Sequence, residues 1–469
     1  MNKHFKFLVS TLACALGLCH APSAASSEKP NIVHIMLDEI GYYELSSMGH
    51  PDMRTPTIDR LAEEGMRFTQ LLAGAPVCGP TRSTLMTGKH MGATSMRDNG
   101  GGSPMRAGEE TIASVLKRAG YATGGFGKWG VGARGTSGVP EEHGFDIFFG
   151  YYDQRHAHTY YPRYLIRNSE EVLLAGNNGD TKVGETHAQY VIFEESKQFI
   201  RENQDGPFYL YLPWTPPHGR WGLPADEPSL ALYADRDWSE DAKIYAAMVN
   251  LMDRHVADIR VLLEQLGLDD NTLILFTGDN GGSNYFKSED KPRGFFAPNV
   301  DPITGDEFRA GKRSLYEGGL RVPAIIWWPG QVEAGRVSDH LCYFPDVLPT
   351  FAEIAGAEIP EDIDGLSFLP ELLGERQPQH PYLYWEYSRQ TAVRMGFWKA
   401  YRRNDKQPWE LYDLSRDIGE TTDLGAEYPK VLELMKAYAA EGHTPIVPGE
   451  IYDVELANKD KNYQPEGAN

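Results

Sequence analysis

Asn31-Ile32-Val33-His34-Ile35-Met36-Leu37-Asp38 is the stretch on which the fold turns. A mostly apolar run of strand length, without polar alternation and closed by a carboxylate, has the pattern of a strand covered on both faces. Downstream, Thr55-Pro56 opens a helix that runs through Leu61 and Glu64 and stops at Gly65. Thr55 is the expected N-cap, and Pro56 stands at the first helical position, where its missing N–H has no intrahelical partner to lose. Further helical patterns cover about 109–119, 185–203 and 239–266, and apolar strand candidates cover 207–214, 271–277 and 322–328. Strands alternating with helices predict an α/β sandwich with helices on both faces of the sheet.

Polar residues follow the carboxyl ends of these strands: Asp38, the Pro216-Pro217-His218 turn, and Asp279-Asn280. Open α/β sheets bind their ligands at such ends. After about residue 375 the texture changes to short strand-like pieces, Tyr382-Leu383-Tyr384-Trp385 and Thr391-Ala392-Val393-Arg394, followed by a helix near 427–440. This predicts a smaller C-terminal α+β unit. The expected division is an export signal over 1–25, a catalytic unit over 26–374 and the C-terminal unit over 375–469.

The signal is read from Lys3 and Lys6 before an apolar run, Phe7 to Leu18, and from the small residues Ser23-Ala24-Ala25. That run is too short to span a bilayer, so no stable membrane insertion is expected. Of four cysteines, Cys14 and Cys19 leave with the signal; Cys78 and Cys342 remain, with no structural bridge expected. The net charge of −21 argues against nucleic acid as a partner. An acidic protein that handles an anion must concentrate positive charge locally.

Cys78-Gly79-Pro80-Thr81-Arg82 continues to Ser83-Thr84-Leu85-Met86-Thr87-Gly88. Around it stand Asp38-Glu39-Ile40-Gly41-Tyr42, Gly120-Tyr121-Ala122-Thr123-Gly124-Gly125-Phe126-Gly127-Lys128-Trp129, Pro216-Pro217-His218, Thr277-Gly278-Asp279-Asn280-Gly281, and Gly311-Lys312 through Glu317-Gly318-Gly319-Leu320-Arg321-Val322-Pro323. Glu410-Leu411-Tyr412-Asp413-Leu414 closes the series. With these blocks in this order over about 29–425, the chain resembles the type I sulfatases of the alkaline phosphatase superfamily. The resemblance implies an alkaline-phosphatase-like α/β/α sandwich with a large mixed sheet, and an antiparallel sheet in the C-terminal unit. It also implies that a maturating enzyme oxidises Cys78 to formylglycine. One hydroxyl of the hydrated aldehyde attacks sulfur, and the other later expels sulfate, so no second attack at sulfur is needed.

The resemblance assigns roles residue by residue. Asp38, Glu39, Asp279 and Asn280 form an oxygen-only set suited to Ca²⁺; Glu39 departs from the family's paired aspartates. Arg82, one helical turn beyond Cys78, orients the hydrate. Lys128 and Lys312 contact the sulfate, and His218 is the general acid. Gly130 stands where the family commonly has a histidine in Gly-Lys-Trp-His. The loop Asp153-Gln154-Arg155-His156-Ala157-His158-Thr159-Tyr160-Tyr161-Pro162 gathers bases and aromatics, which predicts a saccharide pocket using Arg155, His156 and His158, with His158 the one expected to reach the substrate. Trp214 and Trp221 are further stacking candidates. The expected function is an exported, Ca²⁺-dependent sulfatase acting on sulfated saccharides. A galactose-type sugar is implied by the loop, which looks similar to that of bacterial mucin and polysaccharide sulfatases. A phosphodiesterase or phosphonate hydrolase of the same superfamily, and a catalytically silent sulfoglycan-binding protein, are the alternatives.

Overall fold

The structure is a computed structural model that describes residues 29–99 and 103–463; the expected export signal lies outside the described residues. The opening stretch forms strand β1, Asn31–Leu37, with every residue buried. Its side chains split between two cores. Val33, Ile35 and Leu37 enter one, while Ile32 and Met36 enter the other. This is why the run lacks polar alternation: each face meets a helical layer rather than water. Each such aliphatic side chain, fully buried, stabilises the fold by about 1.5–3 kcal/mol.

Three more strands run parallel beside it: β2 (Ala122–Lys128), β3 (Phe208–Trp214) and β4 (Thr272–Gly278). Across the sheet the order is β4-β1-β3-β2. Six further strands complete a mixed ten-stranded sheet: Met66–Phe68, Ala324–Trp327 and Arg336–Ser338 on the β4 side, and Ile147–Tyr151, Tyr164–Arg167 and Glu170–Leu173 on the β2 side. The register is level at the carboxyl ends, because Leu37 lies opposite both Trp214 and Gly278. Asp38 N–H bonds Trp214 O at 3.1 Å and Asp279 N–H bonds Leu37 O at 2.9 Å, so the sheet itself carries Asp38 and Asp279 to one edge.

Among the helices that flank the sheet are α1 (Pro56–Glu64), α2 (Cys78–Thr87), α3 (Ala188–Glu202) and α4 (Glu240–Leu266). The expected start of α1 is present, but Thr55 does not cap it with its side chain. Its hydroxyl donates to Asp59 Oδ1 at 3.1 Å instead. Asp253 of α4 takes over the capping, its Oδ1 accepting from the Thr57 and Ile58 N–H groups at 2.8 Å each. A tertiary acceptor thus satisfies amides that local sequence alone would leave to Thr55.

Leu383–Tyr387, Gln390–Met395, Trp398–Arg402 and Glu410–Asp413 form the expected antiparallel sheet near the C-terminus. One of its faces packs on Leu432, Met435 and Ala439 of the helix Pro429–Glu441. The other packs on Leu72, Leu315 and Leu320. That second contact fixes the segment just after Lys312.

Candidate active site

Cys78 occupies the first helical position of α2, after an extended Val77. All ten residues of α2 are buried, although five are Thr, Ser or Arg. Such a helix survives because its polar groups are paired: Thr84 Oγ1 donates to Thr81 O at 2.7 Å, and Thr87 Oγ1 to Ser83 O at 2.8 Å. Arg82, four residues on and so on the same face as Cys78, donates to Lys128 O at 2.7 Å and to Asp279 Oδ2 at 3.0 Å.

The ends of β1, β2 and β4 supply the charges around the thiol. Lys128 Nζ lies 2.5 Å from Asp38 Oδ2, and Cys78 Sγ donates to Asp38 Oδ1 at 3.3 Å. Lys312 Nζ lies 3.5 Å from Cys78 Sγ and also pairs with Glu39. His218 Nε2 meets Glu39 Oε1 at 2.8 Å. Glu39 holds a left-handed backbone, φ 65°, a conformation that costs a non-glycine residue about 1–3 kcal/mol. Its N–H bonds Asp279 Oδ1 at 3.0 Å, and its carboxylate also accepts from Tyr285 OH and, at 3.1 Å, from Ser283 Oγ. Gly41 lets the turn after Glu39 close, since a Cβ there would lie 2.3 Å from Pro298 Cβ.

Burial pushes the Cys78 thiol pKa well up, and Asp279 and Asp38 push it further. The unmodified side chain is therefore a thiol and a poor nucleophile. Burial would also raise Asp38, but Lys128, His218 and Arg82 outweigh it and hold Asp38 well below the usual carboxylate range. Asp279 goes the other way, raised by burial and by the charge on Asp38. Burial lowers His218 to about 4 despite Asp38 nearby.

Ligand atoms of Asp38, Glu39, Cys78 and His218 all lie within 4.8 Å of one another. Asp279 adjoins them, and the buried Asn280 Oδ1 has no hydrogen-bond partner. Three dry carboxylates beside an unpartnered amide oxygen fit a hard cation with oxygen ligands.

The structure brings Asp38, Glu39, Cys78, Arg82, Lys128, His218, Asp279, Asn280 and Lys312 together. His158 joins them, its ring stacked on His218 at 4.1 Å between centroids and 11° between planes. Tyr160 OH donates to His218 O at 2.8 Å and braces the pair. Glu39, Cys78, His158, His218 and Lys312 line one cleft of about 580 Å³.

The other loop and stacking candidates lie elsewhere. His156 is fully buried, its Nε2 bonded to Tyr164 O at 3.0 Å and its ring held among Tyr151, Tyr164 and Tyr463, so it packs the loop from behind. Trp214 is fully buried against Phe193 and His255 and presents no face to a sugar. Arg155 is exposed and does not line the cleft. Trp221 packs its ring on Tyr285 and Phe286, behind the Glu39 contact.

Sequence reasoning missed Ser283 and Tyr285, which continue the Asp279-Asn280-Gly281-Gly282 turn and were within reach of a longer motif. It also missed Asn99, whose Oδ1 accepts from Gly79 N–H at 2.8 Å and which carries no local signal. Lys287 and Arg313 add two further cations to the lining of the cleft.

The family model described as Sulfatase matches residues 30–357, and that described as N-sulphoglucosamine sulphohydrolase, C-terminal, matches 307–441. The chain is 31% identical over 465 residues to an N-acetylgalactosamine-6-sulfatase of Canis lupus familiaris, covering 91% of this chain and 82% of that protein. It is 31% identical over 477 residues to human (Homo sapiens) arylsulfatase A, covering 90% and 89%. Its fold matches the crystal structure of Ps i-CgsB in complex with k-i-k-neocarrahexaose, with TM-score 0.75, 28% identity and coverage of 94% and 98%.

Proposed function

This chain belongs to the sulfatase family, as a type I member in the alkaline phosphatase superfamily and a sulfuric ester hydrolase, and from that premise we propose that it is exported and removes sulfate from galactose-type saccharides. We assign Ca²⁺ to Asp38, Glu39, Asp279 and Asn280, and the nucleophile to formylglycine made from Cys78. The observation that carries this reading is Cys78 at the head of a buried helix, with three carboxylates and three cations converging on it. Bound among those oxygens, Ca²⁺ supplies a Lewis acid, and the hydrated aldehyde at position 78 supplies an oxygen nucleophile.

The remaining work falls to the chain's own residues. Asp38, Glu39 and Asp279 balance Arg82, Lys128 and Lys312 in charge, so a divalent cation leaves the site with two positive charges to meet an anionic ester. Arg82 is locked between Lys128 O and Asp279 and fixes the geometry beside position 78. Lys128 and Lys312 place ammonium groups where oxyanion charge builds. His218, neutral while the cleft is empty of anions, gains its proton as the substrate's negative charge arrives and returns it to the leaving alcohol. His158, stacked on it, faces the sugar. Arg313 and Lys287 draw an anionic substrate into an otherwise acidic protein. The relatives named for N-acetylgalactosamine-6-sulfatase activity, and the neighbour bound to a neocarrahexaose, support a galactose-type substrate.

Protein made together with a formylglycine-generating enzyme tests the reading. Peptide mass should show loss of the thiol at position 78, and Ca²⁺-loaded protein should release sulfate from defined galactose or N-acetylgalactosamine sulfates. Full conversion without sulfate release from any sulfated sugar would overturn it in favour of a glycan-binding protein. Faster turnover of phosphate diesters or phosphonates would move the assignment to another branch of the superfamily.

A further inference from the structure

Gly130 ends the turn after β2 with φ +77°. A side chain there would begin with its Cβ 2.3 Å from Gln154 Nε2 and 3.4 Å from Arg82 Cδ. Gln154 already fills the space. It is 8% exposed, and its Nε2 donates to Gly130 O at 3.0 Å. On the other side of the same amide lies Gly79, where a Cβ would meet Gln154 Nε2 at 3.2 Å. The glutamine amide thus lies against both the residue after Cys78 and Gly130, the last position of the Gly-Lys-Trp-Gly stretch. Its Oε1 is buried and has no hydrogen-bond partner. A buried acceptor left alone is costly, so one on an amide packed against the neighbour of Cys78 points to a partner that arrives there.

We propose that Gln154 is a positioning residue that takes over the place left by Gly130, its Oε1 accepting a hydrogen bond from the hydrated group carried at position 78. The inference rests on the reading of Cys78 as the modified residue. An amide can accept that bond but cannot take up a proton near neutrality. Its contribution is therefore to hold one rotamer of the hydrate. The rival account is that a water serves Oε1 in the cavity of about 70 Å³ that Gln154 lines with Gly130, Met96 and Tyr152.

Wild type, Gln154→Met, Gly130→His and the double variant Gly130→His/Gln154→Gly separate these accounts, each prepared with and without conversion of Cys78 as read by peptide mass. Gln154→Met keeps the volume and removes the acceptor together with the Nε2 bond to Gly130 O, which is lost whether or not Cys78 is converted, so the conversion-dependent difference reads the acceptor. Conversion should raise the melting temperature of wild type by about 2 °C more than that of Gln154→Met, since only wild type gains the Oε1 bond. Converted Gln154→Met should lose about tenfold in kcat at unchanged KM. Unconverted Gly130→His should melt lower than wild type, and Gln154→Gly in the same chain should restore part of the loss, because the two positions share one space. If converted Gln154→Met matches wild type in both kcat and conversion-dependent melting, Oε1 serves only water and the proposal falls. Additive melting shifts at 130 and 154 would equally overturn it. Wild type that stays a thiol in the presence of the maturating enzyme sinks the reading of Cys78 itself, a result distinct from either.

Discussion

The buried charges around Asp38 and those around Glu317 are built from nearly the same parts, only five residues apart where Lys312 leads to Glu317, yet they are finished differently. In the second cluster Glu317 meets Arg321 Nε at 2.6 Å, Lys399 Nζ at 2.9 Å and Arg394 NH1 at 3.3 Å. Lys399 also reaches Glu420 at 2.9 Å, and Glu420 accepts from Glu317 N–H at 2.7 Å. The guanidinium of Arg394 is completed by Gly396 O and Gln70 Oε1. Glu317 itself opens a short helix, Glu420 is left-handed at φ 53°, and the C-terminal sheet closes over the cluster. Around Asp38, Glu39 is likewise left-handed, but Asn280 Oδ1 and Arg82 Nε lack partners, and His218 and Lys312 are each 12% exposed at a cleft mouth. Burial of charge is common to both. An amide oxygen and a guanidinium N–H with no partner, together with an opening to solvent, belong to the Asp38 cluster, and these are the marks of a place kept ready for something else.

The contrast predicts that changes near Asp38 take activity and spare the fold, while changes near Glu317 do the reverse. The largest effect is expected for Cys78→Ala, which should lower sulfate release by about 10⁴-fold or more while melting within about 2 °C of wild type. Residual turnover near the wild-type level would remove position 78 from the chemistry. Next comes Glu317→Gln, which leaves Arg321, Arg394 and Lys399 buried against a neutral amide. Breaking such a network costs about 3–5 kcal/mol, to be read from urea melts. Turnover per folded molecule at 25 °C should stay within twofold. A variant that melts normally but loses turnover would mean that the second cluster works for the first.

Asp279→Asn is expected to be smaller in effect and opposite in kind. Removing one of three crowded carboxylates should lower kcat/KM by about 10²–10³-fold, the range seen when one charge-stabilising group is lost. Stability without Ca²⁺ should hold or rise, because Asp38 and Asp279 no longer repel. Adding Ca²⁺ should raise the melting temperature of wild type and do less for the variant. Chelation should inhibit wild type, with Ca²⁺ restoring activity better than Zn²⁺. Equal Ca²⁺ stabilisation of both proteins would place the ion elsewhere.

The same contrast explains what could be read from the sequence. The Asp38 cluster is carried on strand ends and a helix start, so short contiguous blocks announce it: an apolar run that ends in Asp, a Cys before Pro and Arg, an Asp-Asn-Gly after a strand. Those blocks settled the sandwich as well, because the strands that carry the residues also build the sheet. What stayed hidden depends on which way a side chain turns inside a loop. His156 and His158 look alike in sequence, yet one packs among tyrosines and the other stacks on His218. Trp214 looked like a sugar platform because aromatics at strand ends serve both uses, but its ring faces the helical layer. Gln154 gave no signal at all, since its meaning arises only from the missing side chain at Gly130. The Glu317 cluster was invisible for a related reason: its partners come from 321, 394, 399 and 420, and only the docking of the second sheet unites them.

The smallest predicted effect asks whether the closed cluster is fully ionised. Burial pushes Glu420 up to about 7, with Lys399 opposing and Glu317 adding to the rise. A carboxyl whose pKa is raised in the folded state takes up a proton on folding within the window between its ordinary value of 4.5 and 7. Its contribution to stability is then fully present below that ordinary value and is lost as pH rises through 7. Glu317, held well below the ordinary range by its three cations, titrates beneath this window and does not blur it. Glu420→Gln fixes the position as neutral, so the difference in unfolding free energy between wild type and variant isolates the one proton, other groups cancelling to first order. That difference should move in favour of wild type by on the order of 1–2 kcal/mol as pH falls from 8 to 5, less than the full linkage slope allows because Lys399 shares the carboxylate. Urea melts of both proteins at four pH values across that range read it directly. A flat difference would show that Lys399 keeps Glu420 ionised throughout, and the closed cluster would then be an all-ionised network held by geometry alone, much closer to the one around Asp38 than its tidy packing suggests.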